Sequence, residues 1–354
     1  MKLNLKLDKS DMLGSIASLS KQINQTWGEV SKIHVPWKCG KDIDNIVITA
    51  MGGSALGSDI LRHSLFREIK VPVTIINDYN LPAYAGNRTL VIAISYSGGT
   101  EETISCLNQA ISRQCKIFAI SMGGKLKEIL TAAGLSRYAY FFSPKFNPCN
   151  QPRIGLGYTL TSVLWALKNV CDIEFVNDSY INEAIDIIDL LNTEFGLSSK
   201  ADVPRKIAES LKGCIPILVS AEHLTGNMHV MSNQINENSK NFAAYFFVPE
   251  LNHHLLEGIG FPKTNSKQIR FIFVESDLFT EKTKVRIKVT KEVLKKNKIR
   301  YLEYKCSGRK ALLQNFEVLS FGSYLSYFFA LTNNLNPSPI PFVDFFKDRL
   351  SKIS

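Results

Sequence analysis

Two short stretches place hydroxyls and glycines directly behind apolar runs. One is SYSGGTEET, residues 95–103, after TLVIAI; the other is MGGSALGS, residues 51–58, after NIVITA. Serine and threonine hydroxyls can donate neutral hydrogen bonds to several oxygens of one anion at once. If each stretch opens a helix, its free N–H groups and the positive end of its dipole favour an anion at the same place. The chemistry this points to is phosphate binding by Ser95, Ser97, Thr100 and Thr103. Gly53 would let backbone approach the ligand, and Ser54 would add a donor at the second helix start. N-capping alone explains a lone run of this kind; two of them on neighbouring strands favour the cradle. Glu101 and Glu102 are expected to turn away from the anion. Gly52 to Gly57 spells G-x-x-x-x-G, but Ser58 stands where a P-loop needs lysine, and the glycines do not fit G-x-G-x-x-G. Nucleoside triphosphates and dinucleotides are therefore disfavoured.

The elements that must hold these loops are legible as alternating runs. Strands are expected at 45–50, 71–78, 89–95, 115–121 and 137–143, with amphipathic stretches between them. A long helical region over about 155–212 follows, and then strands at 214–221, 241–248, 268–276 and 299–306. Continuous apolar strands separated by helices indicate parallel sheets covered on both faces. The last 35 or so residues read as two helices interrupted by NPSPIP, whose prolines break helical hydrogen bonding. The expected fold is α/β, with two doubly wound parallel-sheet domains and a helical C-terminal tail. We expect an N-terminal helical segment over 1–40, a first domain over 41–160, a second with connecting helices over 161–330, and a tail helix over 331–354.

Composition narrows the function classes. The 354 residues are 45% hydrophobic and 21% charged, enough for about two domains with large cores. No run approaches the roughly 20 apolar residues of a membrane span. The start, MKLNLKLDKS, has no signal-peptide core, so no secretion is expected. Seven cysteines are scattered without a CxxC pair, which suggests reduced thiols, a cytoplasmic location and no zinc site. The net charge is +10, and KTKVRIKVTKEVLKKNKIR at 282–300 carries much of the excess. Without interleaved aromatics this reads as a solvated helix rather than a nucleic-acid platform, with Val285, Ile287, Val289, Val293 and Leu294 on its buried side. The positive field suits a small anionic substrate.

MGGS followed some forty residues later by SYSGGTEET resembles the sugar isomerase (SIS) fold, whose members bind phosphosugars through this serine/threonine loop. Most relatives carry asparagine where this chain has Gly99. Three later stretches, NQPRIGLGY (150–158), MSNQINENSKN (231–241) and PELNHHLLEGI (249–259), together with PSPIPFVDFFK, resemble the bifunctional phosphoglucose/phosphomannose isomerase branch of the phosphoglucose isomerase superfamily. The resemblance covers nearly the whole chain with the motifs in order.

That resemblance implies a cofactor-free, metal-free aldose–ketose isomerase acting on glucose 6-phosphate, fructose 6-phosphate and mannose 6-phosphate through a cis-enediolate. Such a reaction needs a base shared by C1 and C2, and Glu237 matches the family's glutamate. Arg153 matches the group that stabilises the enediolate. His253 matches the ring-opening histidine, with His254 the off-by-one alternative, and Lys347 matches the C-terminal lysine that assists ring opening or holds substrate. The HH pair has no third partner at metal-ligand spacing. The family pattern further implies a homodimer with His253 reaching the partner's site. The rival readings are a phosphosugar-sensing regulator and an inactive paralogue. A regulator would pair one SIS unit with a helix-turn-helix, for which the 40 or so residues before the first strand are too few. The isomerase half of glucosamine 6-phosphate synthase would follow a glutaminase with a leading cysteine, whereas this chain starts MKLN.

Overall fold

The computed structural model describes residues 3–199 and 202–352. The chain opens with α1 (Met12–Ala17) and α2 (Leu19–Val30). It then runs through β1 (Asn45–Ala50), α3 (Gly53–Ser64), β2 (Val73–Ile76), β3 (Thr89–Ser95), α4 (Glu101–Ser112), β4 (Lys116–Ser121), α5 (Gly124–Ala132) and β5 (Ala139–Phe141). Three helices follow: α6 (Leu156–Val170), α7 (Asp178–Phe195) and α8 (Val203–Ser210). The second unit contains β6 (Ile215–Ala221), α9 (Thr225–Ser239), β7 (Ala244–Val248), α10 (Leu255–Gly258), α11 (Asn265–Gln268), β8 (Ile269–Glu275), α12 (Glu281–Lys296) and β9 (Tyr301–Lys305). It closes with α13 (Ala311–Thr332) and α14 (Pro341–Leu350).

All nine expected strands form, and every pairing is parallel. The sheets run β2-β1-β3-β4-β5 and β7-β6-β8-β9. Alternation explains why the strands read as unbroken apolar runs. Ile46, Ile48, Leu90, Ile92 and Phe118 face the core shared with α2, α3 and α6. Their neighbours Val47, Val91, Ala93, Ile117 and Ala119 face the core under α4 and α5. Both faces of the sheet are dry, so no polar phase survives. Between β1 and β3 the connections diverge to opposite sides, which creates a crevice at the strands' carboxyl ends. Both hydroxyl-rich stretches emerge there.

α13 is buried along almost its whole length and packs against α7, α8 and α9. α3 lies between α6 and α9, and glycines allow both approaches. A Cβ on Gly57 would come within 2.9 Å of Leu160 Cα, and one on Gly226 within 2.4 Å of the Asp59 carbonyl oxygen. The expected division at 160/161 falls inside α6, whose buried residues belong to the first core. The basic run does form a helix, α12, with a buried side of Thr283, Ile287, Thr290 and Leu294. Ile287 and Leu294 are buried as expected, but Val285 and Val289 are exposed, because the helical rows i, i+4, i+7, i+11 bring threonines to the core instead. Among the described residues no helix is long and apolar enough to cross a membrane.

Candidate functional site

The loop after β3 is a compact knot of hydroxyls and amides. Ser95 Oγ accepts hydrogen bonds from the N–H groups of Gly98 (3.0 Å) and Thr100 (3.3 Å) and lies 2.8 Å from Thr100 Oγ1. Thr100 occupies the N-cap of α4, yet its side chain does not cap the helix. Among the described residues, the first N–H groups of α4 therefore keep no capping hydroxyl. Ser97 is exposed at the rim and accepts from Gly99 N–H at 3.3 Å. Thr103 is fully buried and donates to the Ile94 carbonyl at 3.4 Å, tying α4 to β3. Gly98 has φ +82°, and a Cβ there would lie 1.9 Å from the Gly123 carbonyl oxygen, so only glycine fits. Gly99 has open space around it and would admit the asparagine of the family pattern. Glu101 is exposed and accepts from the Tyr79 hydroxyl at 3.4 Å.

The loop after β1 meets this knot and carries it towards Arg153. Ser54 Oγ accepts the Tyr96 N–H at 3.0 Å, which joins the two stretches. A Cβ on Gly53 would lie 2.9 Å from the Arg153 backbone nitrogen, so the first turn of α3 touches the Pro152–Arg153 peptide. Asn147 Nδ2 donates both to the Tyr96 hydroxyl (2.7 Å) and to the Gln151 carbonyl (3.1 Å). Sequence segments about fifty residues apart thus form one wall.

Arg153 is 1% exposed, and its guanidinium is fully engaged. Nε donates to Asn238 Oδ1 at 2.6 Å, and Nη1 donates to Gln151 Oε1 at 2.6 Å and approaches Glu237 Oε2 at 3.1 Å. Nη2 donates to the carbonyls of Ser338 (2.8 Å) and Pro337 (3.2 Å). Five acceptors surround the five N–H groups a guanidinium carries. Burial lowers the Arg153 pKa, and the Glu237 charge opposes that shift. Glu237, on the last turn of α9, reaches Arg153 from far along the chain, and no hydrogen bond among the described residues engages its Oε1. Gln234, one turn earlier, donates to the Arg153 carbonyl and to Ser323 Oγ of α13, both at 3.0 Å.

Sequence reasoning did not single out the groups that frame this pair. Asn238 and Lys240 follow Glu237 within three residues, Gln151 lies two residues before Arg153, and the 336–338 strap lies in the proline-rich run before α14. Lys240 has a left-handed backbone (φ 51°) and donates to the carbonyls of Asn238 (3.0 Å), Asn336 (2.8 Å) and Pro337 (3.0 Å). Burial and the neighbouring Arg153 push its pKa down to about 8, with Glu237 pulling the other way.

Two expected residues stand outside this cluster. His253 is exposed on the turn after β7, and no hydrogen bond or ion pair among the described residues joins it to Glu237 or Arg153. His254 Nε2 lies 3.0 Å from Glu250 Oε2 on the same surface. Lys347 lies on α14, all of whose residues are exposed. The helix nevertheless departs from the site, since the strap before it accepts from Arg153 and Asp344 on its first turn acts on the Arg153 charge. Among the described residues no group of three His, Cys, Asp or Glu side chains could hold a metal ion. A separate cavity of about 490 Å³ lies between the ends of α3, α7 and α13. It contains none of the loop hydroxyls, and its Lys310 is paired with Glu183, so it offers no anion site.

Comparison with known proteins shows what the chain as a whole resembles. The description "Bacterial phospho-glucose isomerase C-terminal SIS domain" matches residues 200–350. The chain is 31% identical over 349 residues to a bifunctional phosphoglucose/phosphomannose isomerase of Caldicellulosiruptor bescii, covering 97% of this chain and 99% of that protein. It is 29% identical to one of Aquifex aeolicus, covering 92% and 94%. A hypothetical protein of Thermus thermophilus shares the fold with a TM-score of 0.73 at 16% identity, covering 98% of this chain and 91% of that one.

Proposed function

The chain belongs to the family of bifunctional phosphoglucose/phosphomannose isomerases, and from that premise we propose how its residues interconvert glucose 6-phosphate, mannose 6-phosphate and fructose 6-phosphate. It is a phosphosugar isomerase built on two SIS units. The observation that carries the mechanism is the 3.1 Å contact between Arg153 Nη1 and Glu237 Oε2, in a wall that Gly53 shares with the hydroxyl loop.

The substrate phosphate binds at the N-terminus of α4, on Ser95, Ser97 and Thr100, with Ser54 and the Gly53 turn closing the second side. Thr103 keeps α4 against β3 behind them. The sugar chain then extends towards Glu237. Its unengaged Oε1 removes the proton from C2 of the aldose and the electron pair forms the C1–C2 double bond of the enediolate, leaving the charge on O1. The O2 hydroxyl proton then passes to O1, and the carboxyl returns its proton to C1 as the C2 carbonyl of the ketose forms. Arg153 contributes to the enediolate chiefly as a fixed positive charge in a dry wall, because all its donors are already engaged. Lys240 adds a second positive group on the same side. One base serves both the glucose and the mannose epimers if the enediolate turns about its C2–C3 bond, so that either face of C2 is presented to Glu237.

Ring opening falls to His253, whose side chain has no hydrogen-bond partner among the described residues while His254 is paired with Glu250, and to Lys347. Neither lies against Glu237 within one chain, which fits a homodimer in which His253 completes the partner's site. The exposed Phe242, Phe247 and Phe261 around the edge strand β7 support such a contact, as do Phe342, Phe345 and Phe346 on α14. A nucleic-acid role for α12 is disfavoured because Lys291 is bonded to Glu275 and Glu303. Seven cysteines spread along the sequence without a CxxC pair favour a cytoplasmic setting. No cofactor or metal enters any step.

The test is direct. Fructose 6-phosphate incubated with the protein in chelator is expected to yield both glucose 6-phosphate and mannose 6-phosphate. Measurable phosphosugar binding without either product would overturn the mechanism in favour of a sensor or an inactive paralogue.

A further inference from the structure

Cys39 and Cys171 are 132 positions apart in sequence, yet their sulfurs lie 2.8 Å from each other. The contact is built from backbone. The Cys39 N–H donates to the Val170 carbonyl at 2.7 Å, and Cys171 is the C-cap of α6. Lys38, one residue earlier, donates from Nζ to the Asn169 carbonyl at 2.7 Å and pairs with Asp172. The segment before β1 is thus clamped on both sides of the two thiols. Both are half-buried, so a small reagent can reach them, whereas Cys106, Cys149, Cys214 and Cys306 are buried. Among the described residues no other pair of cysteine sulfurs is in contact.

We propose that Cys39 and Cys171 form a dithiol modification site that closes to a disulfide when the protein meets a peroxide or a low-molecular-weight disulfide. The roles of the two sulfurs differ. The hydrogen bond from the Cys171 thiol lowers the Cys39 pKa, burial and Asp172 oppose that shift, and Lys38 assists it; Cys171 moves upward, mainly through that same hydrogen bond. Cys39 is therefore the attacking thiolate and Cys171 the resolving thiol. With hydrogen peroxide, the Cys39 sulfur attacks one oxygen, the O–O bond breaks, and a sulfenic acid and one water form. Cys171 sulfur then displaces the hydroxyl of the sulfenic acid, releasing a second water and leaving the S–S bond. Two thiols lose two electrons and two protons to one peroxide. With a low-molecular-weight disulfide, the same two displacements release two small thiols.

The cross-link would staple the chain ahead of β1 to the end of α6. Arg153 lies at the other end of that helix, which at 15 residues spans about 22 Å. The consequence is on stability, through the unfolded chain that the link restrains.

The test uses the full reduced chain treated with hydrogen peroxide, or separately with glutathione disulfide, followed by peptide mapping without reductant. The expected product links Cys39 to Cys171, consumes two of the seven thiols, melts at a higher temperature than the reduced protein, and reverts with dithiothreitol. Cys171→Ser is expected to stop at a Cys39 sulfenic acid trappable by dimedone, and Cys39→Ser to give neither product. Cys39 over-oxidised beside a free Cys171, a link made through Cys115 instead, or a melting shift that survives in either serine variant would overturn the proposal.

Discussion

Glu237 is held through one carboxylate oxygen and unengaged at the other among the described residues, a disposition that suits the base role proposed for it. Replacing it with glutamine keeps an acceptor for Arg153 and removes only the base. Glu237→Gln is expected to lower turnover by about 10²- to 10⁴-fold while phosphosugar binding persists. Exchange of the C2 proton with deuterated solvent measures this step, and exchange at the native rate would take the base role away from Glu237. At this scale the sequence carried the residue types but not their state of engagement. That Arg153 is 1% exposed with every N–H matched depends on carbonyls from residues 337 and 338, which no local pattern connects to position 153.

The element that joins the two halves is α3. It leaves the β1–β3 crevice and runs against α9, which brings Glu237 back towards it. Midway, Asp59 of α3 lies 3.0 Å from His229 Nδ1 of α9 and 3.0 Å from Arg62. Burial alone would raise the Asp59 pKa, but the hydrogen bond from His229, with the charges of His63 and Arg62, outweighs it and lowers the value from 3.8 to about 2. A carboxylate depressed on folding contributes stability that is fully present above its unfolded pKa and is lost as pH falls through the folded one. Asp59→Asn is therefore expected to cost up to about 2 kcal/mol at neutral pH, with the gap to the parent closing from about pH 4 down to about 2. Denaturant midpoints measured across that range give the answer, and a gap independent of pH would show that packing rather than charge accounts for the loss. The glycines at 57 and 226 were visible in the sequence as glycines only; their reason is helix contact.

For the molecule as a whole, the unusual surface is α14. Phe342, Phe345 and Phe346 are 85%, 66% and 60% exposed on a helix that begins beside Arg153. Apolar residues gathered in this way mark an interaction surface. We expect light scattering to give a dimer, and substitution of the three phenylalanines by serine to give monomers with reduced turnover on closed-ring substrate. A native chain that is monomeric and fully active would remove both the dimer and the shared His253.

The sequence by itself determined the strands, the two α/β units and the hydroxyl-rich loops at the strand ends, because apolar runs, glycines and hydroxyls act through the neighbours they have along the chain. It also carried the motifs that identify an isomerase. Tertiary structure alone decided what those residues face. Which side of α12 is buried, why Thr103 lies behind the loop, and how Arg153, Glu237 and Lys240 meet around one strap all depend on how α9, α13 and the chain end cross. Such contacts join residues as far as 185 positions apart, and their geometry is set by the packing of whole helices rather than by any local spacing.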